Sequence, residues 1–120
     1  MQYLLLIYGG REDNAPAADE AAIKEMMREY DAFTAMINES GEMQGGNALQ
    51  DTDTATTVRV RGDETLVTDG PFAETKEVLG GYYLVDCKDL DRAIEVASRI
   101  PDVRNGSIEI RPILDLSDRR

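Results

Sequence analysis

The sequence predicts an α+β fold in which two helices lie on one face of an antiparallel sheet, a ferredoxin-like arrangement. Three observations predict it. Two segments carry apolar residues at three- and four-residue steps. Short β-prone runs precede, separate and follow those segments, and one pair of runs flanks a tight glycine turn. The resulting order is strand, helix, a group of strands including a hairpin, helix, strand. At 120 residues the chain fits a single domain, 1–120. Its apolar content of 42% is enough for one core. A chain of this size buries about two-thirds of the surface that its unfolded form exposes.

The first strand, 2–8, is apolar on both faces, as a central strand covered on both sides would be. A polar loop with glycine and proline follows over 9–18. The first helix is predicted over 19–40. Ile23, Met26, Met27, Tyr30, Phe33 and Ile37 share one face, Asp19 is a good N-cap, and Gly41 sits where a helix stop tolerates positive φ. Its methionines read as adaptable core filler. Residues 43–49, with Gly45-Gly46, form a weak strand. Residues 55–61 alternate cleanly, Val58 and Val60 on one side and Arg59 and Arg61 on the other. Gly62-Asp63 then makes a two-residue hairpin turn into a return strand, 64–68. The adhesion-like tripeptide Arg61-Gly62-Asp63 is fully explained as that turn.

A strand at 80–87 puts Tyr82 and Leu84 opposite Tyr83 and Val85. The second helix, 90–100, buries Leu90, Ala93, Ile94, Ala97 and Ile100. Asp89 or Asp91 caps it and Pro101 stops it. Asn105-Gly106 turns into the final strand, 107–114, and 115–120 form a tail. Two helices cover only one face of such a sheet. Tyr3, Leu5, Ile7 and Tyr82 or Tyr83 are too apolar for open solvent, so a homodimer packing two sheets face to face is expected.

Composition excludes several functions. The net charge of −11 argues against direct contact with nucleic acid or an anionic membrane, whose phosphates would repel it. No apolar run approaches the length of a membrane span. The start lacks a basic region and a cleavage site, and the single cysteine, Cys87, excludes an internal disulfide framework; a cytoplasmic location is the expectation. There is no histidine, which removes the usual general base and the commonest metal ligand. Without a histidine to activate it, Cys87 reads as a small buried hydrophobe. No nucleotide-binding glycine loop and no metal cluster are spelled, so a cofactor-free protein is expected.

The densest chemistry lies in Asp69-Gly70-Pro71-Phe72-Ala73-Glu74-Thr75-Lys76-Glu77. The first four residues suit a structural corner, because Asp69 can form an Asx-turn, Gly70 admits unusual φ and Pro71 restricts it. Lys76 between Glu74 and Glu77 can hold a carboxylate ionised or bind an anion, or the three can form a solvated charge cluster. A carboxylate half-buried beside Phe72 and Tyr82 can act as an acid or base. Arg59 and Arg111, on strands that can be neighbours, can clamp a small anion or pair with nearby glutamates. The candidate acid/base residues are therefore Asp69 and Glu77. The candidate ligand contacts are Arg59, Phe72, Glu74, Lys76, Tyr82 and Tyr83.

That nine-residue run resembles the signature of the DGPF-type proteins, a branch of the YCII-related family. The resemblance extends to the opening Tyr3-Leu4-Leu5-Leu6-Ile7-Tyr8, to Gly80-Gly81-Tyr82-Tyr83, to Leu90-Asp91-Arg92-Ala93-Ile94, and to the closing Ile108-Glu109-Ile110-Arg111-Pro112. It implies a dimeric α+β barrel. Related YCII proteins carry a histidine–aspartate pair in a pocket and are suspected enzymes. This chain has no histidine, so only the acidic role can pass over, to Asp69. DGPF-type proteins also tend to accompany extracytoplasmic-function sigma factors. Two functions follow as expectations. One is a small-molecule-binding protein or cofactor-free enzyme acting by proton transfer, with its pocket at the signature. The other is a regulatory accessory protein whose acidic surface meets a sigma factor.

Overall fold

The computed structural model describes residues 1–10, 19–71 and 77–118. Four strands form the main sheet: β1 (Gln2–Gly10), β2 (Met43–Ala48), β5 (Glu77–Asp86) and β6 (Ser107–Pro112), in the order β2-β5-β1-β6. All neighbours are antiparallel. Helix α1 (Glu20–Glu39) follows β1 and helix α2 (Leu90–Ala97) follows β5. This is the ferredoxin-like α+β fold that the order of elements predicts.

The register decides what is inside. Tyr3 faces Val85, Leu5 faces Tyr83 and Ile7 faces Gly81, so these residues share one side of the pleat. That side packs against Phe33 and Ile37 of α1 and Ala93, Val96, Ala97 and Ile100 around α2. Tyr3, Leu5 and Ile7 are thus covered by the chain's own helices, not by a partner as the sequence suggested. The opposite side carries Leu4, Leu6, Tyr82 and Leu84, with Glu109 and Arg111 beside them on β6. Its apolar side chains are only half-buried.

Both helices start on aspartate caps. Asp19 accepts from the Ala22 amide at 2.7 Å and Asp89 from the Arg92 amide at 2.9 Å. Gly41, with φ of +81°, turns the chain out of α1 as expected. Two predicted faces need correction. The start of α1 overhangs the core, leaving Ile23 half-exposed and Met27 61% exposed, so the buried stripe is confined to Phe33 and Ile37. In α2 the alanine-rich side is inside, because small residues let the helix approach the sheet closely; Val96 is buried there, while Leu90 and Ile94 are about half exposed. The helix ends at Ala97, and Pro101–Arg104 form a separate 3-10 turn.

The predicted hairpin exists but stands apart from the main sheet. Strands β3 (Thr56–Arg61) and β4 (Glu64–Asp69) pair only with each other. Gly62 takes φ of +63° in the turn. At the base, Gly70 (φ +101°) donates its amide to the Ala55 carbonyl at 2.7 Å, and its own carbonyl accepts from Thr57 Oγ1 at 2.8 Å. The arm projects: the radius of gyration is 16.8 Å, against roughly 14 Å for a compact domain of this length. Val58 and Val67 face each other across it, 59% and 63% exposed. Arg59 and Arg111 consequently belong to different sheets and are not on neighbouring strands.

One polar cluster ties the layers together. Glu42, between α1 and β2, accepts a two-pronged bond from Arg92 of α2, Nε to Oε2 at 2.9 Å and Nη2 to Oε1 at 2.7 Å. Ser40 Oγ also donates to Oε1 at 2.7 Å, and the Asp86 amide donates to the Glu42 carbonyl at 2.8 Å. The Glu42 and Arg92 side chains are 14% and 22% exposed. The Arg92 guanidinium holds the Glu42 carboxyl down to about 2, from 4.5. Burial, followed by the neighbouring Glu42 carboxylate, pushes the Cys87 thiol up to about 11, in keeping with the inert role read from the sequence.

This pair predicts an acid-sensitive contribution to stability. A carboxyl depressed in the folded state stabilises the fold above its ordinary value of 4.5, and that contribution is lost as pH falls towards about 2. Arg92→Met should cost about 3 kcal/mol at neutral pH, because it leaves Glu42 charged and unpaired. Urea unfolding of wild type and variant should show the gap closing as the pH is lowered through that window. A gap independent of pH would assign the loss to packing.

Candidate functional site

A cleft of about 780 Å3 opens between α1, the β2–β5 edge of the sheet and residues 49–53. That volume suits a small organic ligand. Its apolar walls include Ile7, Met43, Val78 and Leu79; Tyr82 and Tyr83 also line it, Tyr83 from the helix side of the sheet.

Backbone features set the positions of the rings. Gly46 lies opposite Tyr83 in the β2–β5 register. A Cβ at Gly46 would come within 2.8 Å of the Tyr83 ring, so glycine is what lets that ring lie over β2. The other edge of the ring meets Phe33 in a T-shaped contact, centroids 5.1 Å apart. The Tyr83 hydroxyl is 3.1 Å from Thr34 Oγ1. On β2, Asn47 Nδ2 donates to the Tyr82 hydroxyl at 2.8 Å. The register also shifts between Ile7 and Tyr8, leaving Gly80 as an extra residue on β5. The Gly80 carbonyl accepts from the Leu49 amide at 2.9 Å, which holds the start of the 49–53 segment against the sheet.

The polar centre of the cleft is a pair that sequence reasoning missed. Tyr30 of α1 donates its phenol hydrogen to Asp102 Oδ2, on the 3-10 turn after α2. Both residues are half-buried and both line the cleft. Burial, and then the Asp102 carboxylate itself, hold the Tyr30 phenol well above the usual tyrosine range, so it stays protonated. Tyr30 stood in the sequence as one member of an apolar stripe. A phenol that is half-buried needs a partner, and that was the available signal. Asp102, immediately after Pro101, has the position of an acidic residue in the first turn of a helix.

The structure brings Tyr82 and Tyr83 to the cleft. It places Asp69 at the end of β4, exposed and opposite Thr56, and Arg59 on the arm opposite Leu66. Glu77 starts β5, exposed, and accepts from Ser107 Oγ at 3.2 Å. Phe72, Glu74 and Lys76 lie outside the described residues. Arg111 pairs with Glu109 at 3.1 Å on the open face of the sheet. Asp51, Asp53 and Asp102 are the charged residues of the described lining. Among the described residues, no helix is long and apolar enough to cross a membrane.

The chain is similar to known proteins. An uncharacterised protein of Rhizobium meliloti (strain 1021) is 37% identical over 115 residues, covering 94% of this chain and 92% of that protein. Among solved structures, the 5-chloro-2-hydroxyhydroquinone dehydrochlorinase TftG from Burkholderia phenoliruptrix AC1100, in complex with 2,5-dihydroxybenzoquinone, aligns over 95% of this chain and 94% of its own. That alignment has a TM-score of 0.48 at 11% identity. A family model described as YCII-related domain matches residues 1–117, and on that match the chain belongs to the YCII-related family.

Proposed function

We propose that this chain is a small-molecule-binding protein, acting as a cofactor-free enzyme by proton transfer, with its ligand in the cleft between α1 and the β2–β5 edge. The observation that carries this reading is the convergence of Tyr30, Thr34, Tyr83 and Asp102 on one largely apolar space. Such a cleft buries a ligand's body and orients it through a few polar groups. The charges of the described lining are carboxylates that would repel an anion, which favours a neutral ligand, and Arg59 lies on the arm. Neither the fold nor the relatives speak for the sigma-factor reading.

The reading includes a homodimer. The open face of the sheet carries Leu4, Leu6, Tyr82 and Leu84, only half-buried, and the arm carries Val58 and Val67, mostly exposed. Pairing with a second copy removes both apolar surfaces from water.

A thermal-shift screen of small neutral and anionic metabolites tests the cleft. A ligand at a hundred times its dissociation constant adds about 2.7 kcal/mol, a rise on the order of 10 °C for a domain of this size. Ala48 is exposed on the cleft wall, so Ala48→Phe should abolish that rise without lowering the melting temperature of the free protein. A ligand that still stabilises this variant binds elsewhere. For the dimer, sedimentation velocity should give the mass of two chains for wild type and of one chain for Leu84→Glu. A wild-type mass of one chain would refute it.

A further inference from the structure

We propose that Tyr30 and Asp102 form a proton-relay pair for a small neutral phenol or enol, whose hydroxyl donates to Tyr30 Oη while Tyr30 donates to Asp102 Oδ2. The inference rests on the cleft reading above and names its substrate class and acid/base residues, which differ from Asp69 and Glu77.

Three features of the cleft point to this class. First, the Tyr30 hydrogen is already committed to Asp102, so the phenol oxygen offers the cleft an acceptor and not a donor. A ligand that meets it must bring its own hydrogen. Second, the charged groups of the described lining are all carboxylates, so that hydrogen belongs to a neutral molecule. Third, the cleft offers an aromatic surface. The Tyr83 ring lies over Gly46 on its wall, which suits a planar group. A planar neutral molecule with an acidic hydroxyl is a phenol or an enol.

The relay balances. The ligand O–H bond breaks as a new Tyr30 Oη–H bond forms, while the old Oη–H bond breaks and an Asp102 Oδ2–H bond forms. One negative charge passes from Asp102 to the ligand oxygen, and the phenol ends as it began. Tyr30 never carries the charge itself, consistent with a phenol held protonated by its surroundings. The product is a phenolate or enolate, the electron-rich form from which isomerisation or elimination proceeds. Reversal returns the proton. Thr34 and the Tyr83 hydroxyl, 3.1 Å apart on the same cleft wall, supply hydrogen bonds to a second oxygen of the ligand.

A merely structural role makes a different prediction. Tyr30–Asp102 also fastens the 3-10 turn to α1, and so does the adjacent Glu29–Arg104 ion pair. Glu29 is not part of the cleft lining. Glu29→Gln therefore loosens the same fastening without touching the relay.

The probe is para-nitrophenol, titrated against wild type, Tyr30→Phe, Asp102→Asn and Glu29→Gln. Binding is read by calorimetry, and ionisation of the bound probe by its visible absorbance across pH. Wild type should bind the neutral form, with ionisation displaced to higher pH than in water by the Asp102 charge. Tyr30→Phe should weaken binding roughly fivefold to thirtyfold, as loss of one buried hydrogen bond would. Asp102→Asn keeps an acceptor for Tyr30, so it should bind within about threefold of wild type. It should nevertheless ionise the bound probe about one pH unit lower than wild type does. Glu29→Gln should match wild type in both readouts. Equal binding and equal ionisation midpoints in wild type, Tyr30→Phe and Asp102→Asn overturn the relay and leave the cleft reading standing. Changes in Glu29→Gln as large as those in Tyr30→Phe overturn it in favour of fastening alone. Wild-type protein that binds no probe, while Ala48→Phe also changes no ligand response in the thermal screen, overturns both readings.

Discussion

The register between β1 and β5 is the constraint on which the rest of this structure depends. Side chains alternate along a strand, so a shift of one residue would exchange the two faces of the sheet. With Leu5 opposite Tyr83, the helices receive Tyr3, Leu5, Ile7 and Val85, and the far face keeps Leu4, Leu6, Tyr82 and Leu84. Tyr83 is the residue through which this choice reaches the cleft. On the helix side its ring meets Phe33 and its hydroxyl meets Thr34. On the far side it would meet neither. The Glu42–Arg92 fork then locks α2 to the junction of α1 and β2, so that the helix layer cannot slide over the face the register has selected.

The cleft lies where that layer is incomplete. Helix α1 is 20 residues long and only its second half is fully packed. The first half is mostly exposed, and Tyr30 closes the space at its end by packing against the core and reaching Asp102. A gap in a core is normally costly because its lining atoms lose packing partners. Here the walls are partly polar and mutually hydrogen-bonded, which makes an open space tolerable and suited to a guest.

Local chemistry was legible in the sequence and long-range pairing was not. Asp19, Asp89, Gly41 and Gly62 announced helix caps, a helix stop and a turn, because each acts on backbone within a few residues of itself. The fold class followed from the order of elements, but the separation of β3 and β4 from the main sheet did not. Nor did the inner face of α2, since Leu90 and Ile94 repeat with the same period as Ala93 and Ala97, and only the closeness of the sheet favours the smaller residues. Of the candidate site, Tyr82 and Tyr83 were visible as aromatic residues beside a glycine pair. Tyr30 and Asp102 were hidden in different ways. Tyr30 matched a core pattern, and Asp102 lies 72 residues away with no local mark of a partnership. Asp69 and Glu77 stand out in the sequence because charges crowd there, whereas the fold sets Asp69 on the arm and Glu77 at the exposed start of β5.

The arm leaves the main sheet after Ala48 and the chain returns to it at Glu77, so every pairing of the four-stranded sheet is made without the arm. Its length is therefore decoupled from the core. Residues gained or lost near Gly62 would alter reach alone, with no change in the frame of β1 and β5. Within this architecture, the arm is where chain length is free to drift while the hydrophobic interior stays fixed.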